Sequence, residues 1–134
     1  MAADIRLALS ARLASLVLTP ALPIIWEGQD KTAPAGGYLE PQLFRSATTR
    51  QFLGSADPHQ RLGFLQVAIM VPPGDDGSGV MRADRIADAI VAHFPCDLRL
   101  GEVRITQTPH VSGGFPDGAF WRLPVTIYFE DRSV

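Results

Sequence analysis

The stretch LGFLQVAIMVPPGDDGSGVMRADRIADAIVAHFP, residues 62–95, joins an apolar run to an amphipathic segment through a glycine-rich connector, and its reading decides the fold. Gly74 and Gly79 stand with four residues between them, the glycine spacing of a phosphate-binding loop between a strand and a helix. Such a loop also needs a Lys for the β/γ-phosphates and a Ser or Thr hydroxyl for magnesium. Those two positions are Val80 and Met81. Asp75 and Asp76 lie where the anion would sit, and like charges repel. They suit instead the positive N-terminal end of the following helix, where an acid contributes about 0.3–1 kcal/mol. No nucleotide site is expected. The segment reads as strand, connector and helix, with the connector either flexible or meeting another protein.

Working outward, Leu62–Val71 is apolar on both faces and predicts a central strand. The preceding run YLEPQLFRSATTRQF has mixed polarity, and Pro41 places it at an edge or a bulge. The two runs predict a long hairpin around LGSADPHQR, residues 53–61. Val80–Phe94 predicts a helix with Val80, Ala83, Ala87, Ile90, Val91 and Phe94 on one side, stopped by Pro95. Toward the N-terminus, DIRLALSARLASLVL sets Ile5, Leu9, Leu13, Leu16 and Val17 at helical spacing, with Asp4 as N-cap and Pro20 and Pro23 as terminators. PIIWEG predicts a short extended piece, and GQDKTAPAGG a loop.

Beyond the second helix, VRITQT predicts a strand and FPDG a hairpin turn. The closing run AFWRLPVTIYF alternates cleanly. Trp121, Leu123, Val125, Ile127 and Phe129 face one way, and Arg122, Thr126 and Tyr128 the other. The order α-β-β-β-α-β-β with short links predicts an α+β fold. It is expected as a two-layer, mostly antiparallel sheet with both helices packed on one face.

The 134 residues fit a single domain, 1–134, with 46% apolar and 19% charged residues. Net charge is −2, and the eleven arginines and one lysine form no basic cluster of the kind that grips nucleic acid. A lone cysteine excludes an internal disulfide framework. LASLVLTPALPIIW, cut by Thr19, Pro20 and Pro23, is not expected to span a bilayer, and Asp4 and Arg12 make a poor signal peptide. An intracellularly made, soluble domain is the expectation.

Constellations that could carry chemistry are sparse. Asp84 and Asp88 share a helix face, but cation sites need more than two oxygen ligands, and Arg85 lies close to Asp88. His93 and Cys96 are two zinc-type ligands where a structural site needs four, with His59 and His110 isolated in loops. Trp26 is followed by Glu27, unlike a base-stacking platform with basic neighbours. Neither a catalytic signature nor a cofactor motif is read.

The succession PIIWEGQDKTAPAGGYLEPQL, LGFLQVAIMVPPGDDG, ADRIADAIVAHFP and WRLPVTIYFE resembles the tail terminator-like proteins of long-tailed bacteriophages, prophages and gene transfer agents. The resemblance runs from the first helix to Phe129. It implies a structural virion protein: a subunit of a hexameric ring at the head-proximal end of the tail tube. That ring stops tube polymerisation and offers a surface to the head connector. It implies tail tube and connector proteins as partners, assembly in the bacterial cytoplasm, and DNA passing through the lumen without specific binding. The alternatives are a head-completion or neck adaptor protein, or a small α+β ligand-binding domain or enzyme. For the latter, the assignable inward strand positions are apolar. Three long polar connectors (28–37, 53–61 and 72–79) exceed what a compact domain requires. Asp57, His59 and Arg61 are the expected contact residues, with Arg50, Arg45, Asp75 and Asp76 as further candidates.

Overall fold

The computed structural model of the chain describes residues 2–18, 21–29, 32–50 and 59–133. Helices α1 (Ala2–Ala14) and α2 (Ser78–His93) accompany seven strands: β1 (Tyr38–Arg50), β2 (His59–Val71), β3 (Arg99–Leu100), β4 (Val103–Ile105), β5 (His110–Val111), β6 (Phe115–Asp117) and β7 (Phe120–Ser133). The strands form one sheet in the order β1-β2-β7-β4-β3, with β5 and β6 also paired to β7, and every named pair is antiparallel. The chain is α+β.

Period-2 alternation explains the core. Odd-numbered positions of the long strands, Leu39, Leu65, Val67, Ile69, Val71, Leu123, Val125, Ile127 and Phe129, share one buried cluster with Ile5, Leu9 and Leu13 of α1 and Ala83, Ile86, Ala87 and Ile90 of α2. Even-numbered Tyr38, Ala68 and Met70 form a second, smaller cluster with Ile25 and Phe120. β2 is apolar on both faces because it is hydrogen-bonded on both sides and buried on both faces at its C-terminal half. On the even-numbered face nearer the other end, Phe44 stacks on Phe64 and Phe64 meets Tyr128 at a tilt, a row across β1, β2 and β7 with ring centroids 4.7 and 5.9 Å apart.

Several sequence expectations need correction. PIIWEG is not a strand; it makes one parallel bridge, Ile24 to Leu39. β2 begins at His59, so residues 59–61 belong to a strand, where they pair with both β1 and β7. Phe115–Asp117 is strand β6, and the turn is displaced onto Gly118 and Ala119. Asp4 lies inside α1, which starts at Ala2, so it is not the N-cap. Val17 lies beyond the helix and is 85% exposed, whereas Ile86, absent from the expected apolar face of α2, is buried.

Candidate functional site

The glycine connector has a structural explanation. Gly79 stands in the first turn of α2, and a Cβ there would overlap the Pro72 carbonyl oxygen and lie 2.7 Å from Pro73 Cα. The helix therefore starts pressed against the two prolines that end β2. Gly77, its N-cap, has φ 77°, a left-handed conformation that glycine adopts at no steric cost. The N–H groups that would cradle a phosphate are already engaged. Gly79 donates to Pro73 O at 2.9 Å, Val80 to Gly77 O at 3.1 Å, and Ser78 to Asp76 Oδ1 at 3.0 Å. The Ser78 backbone bond, with its hydroxyl second, holds the Asp76 carboxyl below the ordinary carboxylate range. Here the carboxylate occupies the anion position.

The edge strand β1 is closed over part of its length by the segment before it. Leu39 donates to Pro23 O and accepts from Ile25 N, both at 2.9 Å. Pro41 has no N–H to offer. Two residues on, Leu43 N–H donates to Glu27 Oε1 at 2.6 Å, and the same oxygen accepts from Arg6 Nη1 of α1 at 2.8 Å. Burial alone would raise the Glu27 carboxyl. The Arg6 and Leu43 hydrogen bonds and the charges of Arg6 and Arg45 outweigh it and hold the group below 4.5. Arg6 and Glu27 also line a cavity of about 160 Å³ with Leu9, Trp26, Leu43 and Leu65. The cavity's two charged groups are thus bonded to each other.

The expected contact residues separate into two groups. In the β1–β2 hairpin, Arg50 lies opposite His59 and Thr48 opposite Arg61, after a bulge between Arg45 and Thr48; Arg45 is exposed. Arg61 also pairs with Asp131 of β7. Asp57 lies outside the described residues. Asp75 and Asp76 are exposed beyond the opposite end of β2. Ten residue steps of strand, about 33 Å, separate Arg61 from Val71, so the two groups lie at opposite ends of β2.

Of the remaining constellations, His93 and Cys96 have structural neighbours. His93 Nε2 lies 2.8 Å from both Ser15 Oγ and Arg12 O, while Arg12 Nε donates to His93 O at 2.9 Å; together they tie the C-terminal ends of the two helices. Cys96 is exposed, with Sγ 3.5 Å from Thr106 O. Asp84 and Asp88 are exposed on α2. Among the described residues no group of three His, Cys, Asp or Glu could hold a metal ion. No helix among them is long and apolar enough to cross a membrane. One charged pair that sequence reasoning missed is well buried on its acidic side. Arg104 Nε donates to Glu130 Oε1 at 2.9 Å, and its Nη1 donates to Asp97. The Glu130 bond, opposed by burial, raises the guanidinium pKa. No local motif announces that pair, because β4 and β7 meet only in the folded sheet.

The fold is a small α+β one, with Glu27, Asp76, His93 and Arg104 engaged within the chain. Residues 4–129 match the phage tail terminator protein family, and the chain belongs to it. It is a phage tail structural protein, in a family that associates with tail and head components. The chain is similar to a solved structure with which it shares 28% identity and a TM-score of 0.77, covering all of this chain and 96% of the other. No curated protein matches.

Proposed function

We propose that this chain is the subunit of a hexameric ring that caps the head-proximal end of the tail tube. The ring ends tube polymerisation and presents the surface to which the head connector joins. The family match over residues 4–129 carries the reading. In it the two helices form one layer over the sheet. The two separated residue groups then serve different contacts. The hairpin group, Arg45, Arg50, His59 and Arg61 with Asp57, meets the tube or a neighbouring subunit, and Asp75 and Asp76 meet a different partner. A net charge of −2 without a basic cluster suits a lumen through which DNA moves without being held. The free subunit need not be a ring, since a tube end can template closure. Assembly takes place in the bacterial cytoplasm, in a phage, prophage or gene transfer agent setting.

The test is to add purified subunit to polymerising tube protein and measure tube length by negative-stain microscopy. Substoichiometric subunit should shorten the tubes and leave a ring on one end. Unchanged length with no ring at either end would contradict the proposal.

A further inference from the structure

A closed ring of identical subunits needs two different, complementary patches on each subunit, because its contacts run head to tail. The structure offers such a pair. The first is a groove of about 530 Å³ between α2 and the segment following α1. Val17, Leu18, Pro72 and Ile86 give it apolar walls, and Arg82 and Arg85 add two guanidinium groups. Val17 is largely exposed in the subunit. Neither arginine has a carboxylate within ion-pair reach among the described residues. Arg82 Nη1 donates to Gly36 O at 3.2 Å, and Arg85 Nη2 lies 3.5 Å from Met81 Sδ. Each retains further N–H donors for a carboxylate.

The second patch is the tip of the β6–β7 hairpin. Phe115 is 45% exposed, and the Asp117 side chain 49% exposed, its carboxylate 3.3 Å from Arg122 Nη1. Tip and groove lie at the same end of the sheet, since Trp121 pairs with Pro116 of β6 on one side and with Val71, next to Pro72, on the other. They occupy different parts of that end, as a head-to-tail contact requires. An apolar ring beside a carboxylate matches an apolar groove beside two guanidiniums in both polarity and charge. The Phe44–Phe64–Tyr128 row is a weaker receptor, because its rings already pack against one another.

We propose that the β6–β7 tip of one subunit seats in this groove on α2 of its ring neighbour, a second copy of this chain. Phe115 lies on the apolar wall and Asp117 meets Arg82 and Arg85. The inference rests on the ring reading above. It assigns the specific contact that closes the ring.

The experiment uses tails assembled with the full-length chain carrying Ala119→Cys, in the exposed β6–β7 turn beside Phe115 and Asp117, and Ala89→Cys, which lines the groove, in a Cys96→Ser background, oxidised and run without reductant. Particle ends are imaged in parallel. The expected result is a disulfide ladder up to six subunits. Six-fold rings without the ladder overturn this contact and leave the ring standing; absence of any ring on tails made with the parent chain overturns both. Because a double cysteine variant can fail to fold, a charge exchange provides a second readout. Arg85→Glu alone and Asp117→Arg alone should each lower tail completion by about tenfold or more, and the two together should restore it. Unaffected single variants, or a double variant no better than the singles, overturn the contact.

Discussion

Glu27 holds Leu43 at the sheet edge: one carboxylate oxygen accepts the Leu43 N–H at 2.6 Å and the Arg6 guanidinium at 2.8 Å. A helix, a connecting segment and an edge strand thus meet at one atom. An edge N–H left open is a template for pairing with another chain, and this carboxylate blocks it at Leu43.

Glu27→Gln should therefore cost stability at neutral pH, about 0.5–1 kcal/mol after solvent screening of a partly exposed pair. The folded-state pKa lies below the ordinary 4.5. Its stabilisation is present above the unfolded value and disappears as pH falls through the folded one. Denaturant melts of parent and variant should differ at pH 7 and draw together as pH falls from 4.5 through the lowered folded value. A constant difference down to pH 3 would show that the charge is irrelevant.

Gly79→Ala forces the first turn of α2 off Pro72 and Pro73. The expected loss is about 2–3 kcal/mol, of the size seen when a tight contact is overpacked. Gly113, with open space at its Cβ position, is the control, and Gly113→Ala should melt near the parent. The parent should bind neither ATP nor GTP, with or without magnesium, in a calorimetric titration, since the helix's first N–H groups are engaged by the chain. Micromolar nucleotide affinity would overturn this account of the connector.

The Arg104–Glu130 pair should respond asymmetrically. Glu130 is buried, while Arg104 is partly exposed and also bonds Asp97. Arg104→Met withdraws a charge-assisted bond from a buried carboxylate, so it should lower the melting temperature more than Glu130→Gln, which keeps a hydrogen-bonding side chain and leaves Arg104 its bond to Asp97. Equal losses would mean that the carboxylate is not relying on Arg104.

Charge reversal at exposed positions separates folding from assembly. Arg45→Glu and Asp75→Lys should each leave the melting temperature within a few degrees of the parent, because these residues are exposed. Each should reduce tail completion. Normal completion in one variant removes that group from the contact surface while leaving the other in place.

Strand β7 was legible because its alternation has a buried face and a more polar one, and Pro41 correctly marked β1 as an edge. The amphipathic period of α2 also survived, apart from the omission of Ile86. Polar residues concealed the start of β2: Gln60 and Arg61 are held by pairing on both sides, which no apolar pattern records. Proline and glycine made FPDG look like a turn, yet Phe115–Asp117 pairs along β7 and leaves the turn to the next two residues. The Glu27 and Glu130 anchors were invisible for a different reason. Their partners lie 21 and 26 residues away and meet only through the fold.

The central claim, that this subunit terminates the tail tube, is tested most directly by the length distribution of tails made by particles lacking its gene, measured by electron microscopy. The account predicts tubes overrunning their normal length and carrying no heads, with both defects repaired when the chain is supplied in trans. Tails of normal length joined to heads in the gene's absence would contradict it.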